Sequence, residues 1–472
     1  MRRLPPELLL LIGKQSTRFD LSSLVLAGSS MNELLTPLLY HTIELNGYSA
    51  MRLCSRTLST PLDCLLYKRD LVGLVQAFHV LGAEATWHTL QQEQELEKGF
   101  SLVIPRLVNL RHFSFKLTGL LHSQVLIDFL ASPPGQLRSL DVEVASDQSF
   151  DCYRDTIDNS ELSLPMLDHL DSFRLVAAWD VSRGFFDFFR RLLAARSTHL
   201  CVLALPDSDD VFVKDVLTSN APFLALQTLE VDSSTFFQPD FPHTAFPALS
   251  TLSLSGDVCS SGLTDEEPQP GAVPRAAYPM LEILRCHAPY LSFLLPKDAE
   301  ERQRRKVHTV QLNDASYARN GGTSSPVAPE QEEVAEGLSH LPYSGVPIRH
   351  LSFSVHKITA DNLATMLLSF KTLESLLVVA DSEPNFELDR PVQIVSRMLA
   401  QMPHLHTLLF SDASLKVQDD EWCFNIAFQR ERQRMVAQLW SQHAKALRRV
   451  AFTTEMEWVR RDGSREWVLI TD

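Results

Sequence analysis

A short apolar pattern recurs along most of this 472-residue chain and limits its fold more than any other feature. The pattern reads apolar-x-x-apolar-x-apolar, so its last two apolar residues face the same side of a β-strand. Its twelve copies begin at Leu110, Leu137, Leu170, Leu200, Leu226, Leu249, Leu281, Val307, Ile348, Leu373, Leu405 and Leu447. Repetition of one strand unit on this scale predicts short parallel strands stacked over a continuous apolar core.

The intervals between copies fit a leucine-rich repeat, whose period is about 20–29 residues, and the wider intervals imply insertions. Several strands follow a proline, as at Pro247, Pro279 and Pro403. Proline ends a helix and extends the residue before it, so each of these prolines is predicted to close one repeat and open the next. Helical periodicity predicts helices between the strands, at Gln124–Ala131, Phe185–Ala195, Asp361–Phe370 and Val392–Gln401.

These patterns predict an α/β fold, an irregular leucine-rich-repeat-like solenoid over residues 105–452. We expect a horseshoe with a parallel sheet on its concave face. Two stretches rich in Pro, Gly, Ser and acidic residues, 264–275 and 319–337, are predicted to be disordered loops. Residues 453–472 are predicted to form a β-hairpin that caps the last repeat, because Asp462-Gly463 is a tight-turn pair between two β-rich segments.

The first 45 residues lack this regular repeat and predict a small all-α element of three helices. Pro5 and Pro6 suit the first turn of the first helix. Asp20 is predicted to cap the second helix, and the third is expected to end before Pro37. Residues 46–104 are predicted to form a helical linker or N-terminal cap of the solenoid. Three short helices bury little surface, so this element needs a neighbour or a partner.

The N-terminal element resembles the F-box of fungal F-box/leucine-rich-repeat proteins. The similarity lies in the segments LPPELL, DLSSLVLA and TPLLYHTIEL, and it continues through the repeats to a closing hairpin, WVRRDGSREWV. The stretch AGSSM at residues 27–31 lacks the tryptophan of typical F-boxes, so the box is degenerate.

This resemblance implies a function and a set of contacts. Such proteins bind the adaptor subunit of an SCF-type cullin–RING ubiquitin ligase through the F-box and select a protein substrate through the repeats. The chain would then be a non-enzymatic substrate-recruiting subunit. The implied adaptor contacts are Leu4, Pro5, Leu8, Leu9, Ile12, Leu21, Leu24, Pro37 and Leu38. In the alternative, these residues form an apolar cap, and the chain is a leucine-rich-repeat interaction scaffold without ligase association.

The sequence contains no motif typical of catalysis, cofactor binding or metal binding, so no catalytic residue, metal ligand or cofactor is predicted. The net charge of −15 disfavours nucleic acid as a partner. No stretch approaches the ~20 apolar residues of a membrane helix, and the N-terminus does not fit a signal peptide. The 7 scattered cysteines fit a reducing compartment, so we expect an intracellular protein, cytoplasmic or nuclear.

The concave sheet face is the predicted site for the protein partner, because outward strand residues there have no role in the core. The predicted contacts are Arg174, Glu230, Arg285, Gln311, His350, Leu377 and Leu409. Leu377 and Leu409 lie in neighbouring repeats, and exposed apolar neighbours are typical of binding sites. In the alternative, the C-terminal hairpin or a long helix over Asp419–Lys445 covers them.

Overall fold

The computed structural model describes residues 5–45, 73–80, 104–117, 135–144, 167–177, 183–206, 208, 210–219, 222–255, 273–274, 277–297, 305–312, 331–356, 359–380, 389–412, 430–452, 456–461 and 466–471. The chain divides into two compact units, Met1–Leu226 (unit 1) and Gln227–Asp472 (unit 2).

Unit 1 begins with three helices and continues as a parallel sheet. The helices are α1 (Pro6–Gln15), α2 (Arg18–Leu26) and α3 (Ser29–His41). The strands, paired in chain order, are β1 (Thr42–Leu45), β2 (Ala77–Val80), β3 (His112–Leu117), β4 (Ser139–Val144), β5 (Ser172–Ala177) and β6 (Val202–Leu205). Two further helices are α4 (Arg183–Arg196) and α5 (Asp210–Ser219).

Unit 2 continues the same alternation of strands and helices. Its parallel strands, in chain order, are β7 (Thr228–Asp232), β8 (Thr251–Ser255), β9 (Ile283–Cys286), β10 (Thr309–Leu312), β11 (His350–Val355), β12 (Ser375–Ala380), β13 (Thr407–Asp412) and β14 (Arg449–Ala451). Its helices are α6 (Ser233–Phe236), α7 (Leu291–Leu294), α8 (Gln331–Leu338), α9 (Ala360–Leu367), α10 (Asp389–Ala400) and α11 (Arg430–His443). An antiparallel pair, β15 (Met456–Arg460) and β16 (Trp467–Thr471), ends the sheet.

The apolar pattern explains this sheet. All three apolar positions of all twelve copies are buried, as at Leu110, Phe113 and Phe115, which are at most 1% exposed. Parallel neighbours in chain order require each connection to return to the start of the next strand, which is the repeat unit of a solenoid. The predicted α/β leucine-rich-repeat-type fold is therefore confirmed.

The repeat begins earlier than the sequence analysis placed it. Strand β2 lies within residues 46–104, where a helical segment was predicted, so that prediction is wrong for 77–80. Strand β1 directly follows α3 and pairs with β2. Val75, Phe78 and Val80 have the same spacing as the other copies and are all buried. Strand β2 therefore carries the same apolar pattern as the later strands.

Two of the predicted helices are confirmed, since α4 spans Phe185–Ala195 and α10 spans nearly all of Val392–Gln401. The helix predicted over Asp361–Phe370 forms but ends earlier, at Leu367. Gln124–Ala131 lies outside the described residues.

The two predicted disordered loops require correction where the structure describes them. In the stretch 319–337, residues from Gln331 onward form α8, because Val334 and Leu338 supply an apolar face that is buried. In the stretch 264–275, Val273 is buried. Pro274 is also described, and its carbonyl accepts a hydrogen bond from Arg305. The remaining residues of both stretches lie outside the described part of the chain.

The C-terminal hairpin is confirmed as an antiparallel strand pair. Trp458 of β15 donates its indole N–H to the buried Gln433 of α11 over 2.7 Å, which fixes the hairpin to the preceding helix. The Asp462-Gly463 turn lies outside the described residues, as does 419–429 of the predicted long helix.

The first three helices differ in their ends from the prediction. Thr17, not Asp20, caps α2, because the Thr17 hydroxyl accepts the Asp20 backbone N–H at 3.2 Å. Helix α3 does not stop before Pro37 but runs through it to His41. Proline removes one helical hydrogen bond there, and the burial of Leu35 against α2 offsets that loss.

Arg305 joins several segments of unit 2. Its side chain is buried, and its guanidinium donates hydrogen bonds to the carbonyls of Ala277 (3.2 Å), Pro274 (3.0 Å) and Leu294. Burial lowers the pKa of Arg305 to about 10, while the neighbouring Tyr278 acts in the opposite direction. The side chain crosslinks segments that precede and follow β9.

Candidate protein-interaction surfaces

The N-terminal helices form a small core of their own. Leu21 and Val25 of α2 meet Leu35 of α3, and further apolar residues of α2 and α3 pack around them. Gly13 of α1 is buried, and a Cβ there would lie 2.8 Å from Leu35 Cδ2. Helix α3 is therefore central, with α2 on its apolar face and α1 held close at a glycine.

Large apolar side chains remain exposed on the outside of these helices. On α1 they are Leu8 (46% exposed), Leu11 (57%) and Ile12 (44%), whose spacing places them on one helix face. On α2, Phe19 and Leu26 are 80% and 83% exposed and lie two helical turns apart. Clustered exposed apolar residues of this kind mark interaction sites.

The residues predicted to contact the adaptor fall into three groups. Pro5, Leu8, Ile12 and Pro37 are exposed, and Leu9, Leu24 and Leu38 are half-buried. Leu21 is 6% exposed and belongs to the core, so its side chain is not on the exposed surface that the other residues share. Leu4 lies outside the described residues.

Sequence reasoning missed Leu11, Phe19 and Leu26. The spacing of Phe19 and Leu26 by seven residues was a usable signal, because it puts both on one face of a helix.

The second candidate surface is the face of the strands opposite the buried pattern residues, which we call the open face. Its middle row consists of the residues between the last two pattern positions of each strand. In unit 1 these are, in register, Glu44, His79, Ser114, Asp141, Arg174 and Ala204.

Three neighbouring polar side chains in the middle row of unit 1, Ser114, Asp141 and Arg174, bind one another. Arg174 donates to Asp141 Oδ1 at 3.2 Å and lies 3.9 Å from Glu143 Oε2. The hydroxyl of Ser114 donates to the other oxygen of Asp141 at 3.0 Å. One carboxylate thus accepts from both neighbouring strands.

The middle row of unit 2 is different. Its residues in register are Glu230, Ser253, Arg285, Gln311, Ser352, Leu377, Leu409 and Ala451. Arg285 is exposed. Among the residues that the structure describes, no acid pairs with it, and Ser253 and Gln311 make no side-chain hydrogen bond. The middle row of unit 2 is therefore polar on its first strands, β7 to β11, and apolar on the later strands, β12 to β14.

Two predicted partner contacts are placed differently by the structure. His350 precedes the middle row and lies beside Thr309 and Ser375. Leu409 is only 7% exposed, so the prediction of an exposed apolar pair is wrong for it. Its neighbours in register, Leu377 and Ala451, are apolar and flank it at the close spacing of adjacent strands. Leu377 is half-buried.

Two histidines occupy equivalent first outward positions in the two units. Burial lowers the pKa of His112 on β3, and Asp171 opposes this shift. Burial likewise lowers the pKa of His350 on β11, and Glu374 opposes this shift.

In the described part of the chain, no group of His, Cys, Asp or Glu residues is placed to hold a metal ion. None of the described helices has both the length and the apolar content needed to cross a membrane.

Comparison with known proteins gives weak matches. No protein-family model and no curated protein matches the sequence. A chain in the crystal structure of the yeast Rad7–Elc1 complex aligns at 11% identity and a TM-score of 0.33, covering 88% of this chain and 86% of the other. The leucine-rich-repeat protein LegL7 from Legionella pneumophila aligns at 14% identity and a TM-score of 0.30, covering 87% and 90%.

A third structure, the TLR13–ssRNA13 complex, aligns at 12% identity and a TM-score of 0.36, covering 76% of this chain and 47% of the other. The assignment of the fold follows from the ladder of parallel strands and from the burial of the repeated apolar residues.

Proposed function

We propose that this chain is the substrate-recruiting subunit of an SCF-type ubiquitin ligase. In this proposal the N-terminal helices bind the adaptor subunit, and the open face of the repeats binds a protein target. The chain supplies binding surfaces, and the transfer of ubiquitin takes place on other subunits. The SCF adaptor is proposed as the partner because residues 4–45 resemble an F-box.

The observation that carries the proposal is the exposure of apolar side chains on α1 and α2. A helical element that served only as a cap would bury its apolar faces against the sheet. Instead, Leu8, Leu11 and Ile12 are exposed while Leu21 and Leu35 form the core. An element with a core of its own and an apolar exterior is suited to docking against a second protein.

Capture of the adaptor tests this proposal. Leu8→Asp combined with Ile12→Asp places two charges on the proposed contact face. Each apolar anchor contributes about 1.5–3 kcal/mol when fully buried, so we expect capture of the purified adaptor to be lost. Because both residues are exposed, the melting temperature should stay within about 2 °C of the parent value.

The control is Val211→Asp in α5, since Val211 is 69% exposed and lies outside the N-terminal helices. It should leave capture unchanged. Truncation before Arg52 is a poorer test than substitution, because it also removes β1 from the sheet. Failure of the full-length chain to capture the adaptor would contradict the ligase role.

A leucine-rich-repeat scaffold without ligase association is the alternative function. It is favoured by the absence of tryptophan from the stretch at residues 27–31, where typical F-boxes carry one. In that case the exposed residues of α1 and α2 bind a different protein. The two functions are separated by whether the purified adaptor is captured.

A further inference from the structure

The middle row of unit 2 contains a group of polar side chains that the fold itself does not use. Arg285 lies in register with Ser253 of β8 and Gln311 of β10. Among the described residues, none of these three side chains makes an ion pair or a side-chain hydrogen bond. One strand further, the buried hydroxyl oxygen of Ser352 also has no described partner.

These side chains can act on one ligand group. Adjacent strands lie about 4.8 Å apart, and residues in register on neighbouring strands leave the same face of the sheet, so a group bound above the central strand can contact side chains from all three strands. Arg285 would supply a charged, planar fork of donors, and its neighbours would add a hydroxyl and an amide. In unit 1 the equivalent arginine, Arg174, already binds a carboxylate of the chain itself, that of Asp141.

We infer that Arg285, assisted by Ser253 and Gln311, binds a carboxylate of an aspartate or glutamate in an extended segment of the protein target. This inference rests on the proposed function only in that the repeats bind a protein. The guanidinium fork matches the two oxygens of a carboxylate, and the single positive charge of Arg285, which has no ion-pair partner among the described residues, meets one negative charge.

A carboxylate fits this position better than a phosphate. A phosphorylated residue carries close to two negative charges and is usually bound by a cluster of arginines. On the middle row, Arg285 is flanked by neutral residues only. The chain as a whole carries a net charge of −15, which adds to the repulsion of a doubly charged group.

The experiment uses the full chain and a displayed library of random 16-residue peptides. Peptides enriched by the parent protein should share one Asp or Glu. Changing that acid to its amide should weaken Kd by about 10- to 100-fold, as expected for a charge-assisted hydrogen-bonded pair. Arg285→Gln should weaken the acidic peptide by a similar factor, and the amide peptide should then lose nothing further.

Arg174→Gln is the matched control, because it removes a guanidinium from the same row of unit 1 and should leave peptide affinity unchanged. The inference would be overturned if the enriched peptides shared no acid or if no peptide were enriched. It would also be overturned if Arg285→Gln left peptide affinity unchanged. A phosphoserine version that binds more than tenfold tighter than the acidic peptide would overturn the assignment to carboxylate.

Adaptor capture is measured on the same protein samples. If the chain captures the adaptor but its peptide binding does not depend on an acid, the inference about Arg285 fails and the proposed ligase role stands. If peptide binding depends on the acid but the adaptor is not captured, the ligase role fails and the inference about Arg285 stands.

Discussion

Arg174 and Arg285 occupy equivalent positions on the open faces of the two units, yet their surroundings differ. Arg174 pairs with Asp141, which also accepts from Ser114, so these three side chains of unit 1 have partners within the chain. Arg285 lies between a serine and a glutamine and has no described acid beside it. Within one repeat architecture, the same residue at the same position can stabilise the sheet or stay available for a partner.

A third arginine extends this comparison. Arg305 is buried, and its guanidinium meets backbone carbonyls instead of carboxylates or solvent. The three residues therefore represent a crosslink inside the fold, an ion pair on its surface and an unpaired group. Their environments predict a decreasing cost of substitution in that order.

The largest effect is expected for Arg305→Met. Methionine retains much of the side-chain length but removes the donors to the carbonyls of Ala277, Pro274 and Leu294. A buried acceptor left without a donor costs about 1–3 kcal/mol, so we expect a total loss of about 3–5 kcal/mol. Urea unfolding measures this. Arg285→Met is the control and should change stability by no more than about 0.5 kcal/mol. A loss below about 1 kcal/mol for Arg305→Met would show that the crosslink contributes little.

An intermediate effect is expected for Asp141→Ala. This change leaves Arg174 without its carboxylate and the buried Ser114 hydroxyl without its acceptor. Because the ion pair is partly exposed, most of the expected loss of about 1–2 kcal/mol comes from Ser114. Thermal unfolding measures it.

Ser253→Ala in unit 2 is the matched control, since this serine has no described partner to lose. Adding Arg174→Ala to Asp141→Ala should cost less than the sum of the two single changes, because both remove the same pair. Strict additivity would mean that the pair is not coupled, and the contrast between the two units would weaken.

The sequence predicted the strands much better than it predicted this contrast. The spacing of apolar residues is local, so Leu110, Phe113 and Phe115 indicate a buried strand without reference to any other part of the chain. The pairing of Arg174 with Asp141 joins residues 33 positions apart and depends on the register of two strands. No local pattern shows which arginine finds an acid.

The same reasoning applies to both surfaces. Leu21 and Phe19 are both apolar residues near the start of α2, yet one is buried and the other exposed. Which face of the helix meets α3 is decided by tertiary packing. Leu409 was predicted to be exposed from its place in the strand alone, but its neighbours in register are apolar as well.

The smallest effect concerns a property that the two units share. His112 and His350 begin equivalent strands, and burial lowers the pKa of each below the ordinary value of 6.5. The unfolded chain then binds protons more readily than the folded one. Stability is therefore full above pH 6.5 and falls as the pH drops below that value toward the folded pKa. Both side chains are largely solvated, so the fall should be shallow.

His112→Gln and His350→Gln should each flatten part of this decline, with little change at pH 7.5. The measurement is the urea midpoint of each variant at pH 7.5 and pH 5.5, compared with the parent protein. Equal flattening by the two changes would mean that the first outward position behaves alike in both units, so that the difference between the units is confined to the middle row. Flattening by only one would show that acids near the strand starts, Asp171 for His112 and Glu374 for His350, also distinguish the units. Unchanged slopes in both variants would contradict the assigned shifts.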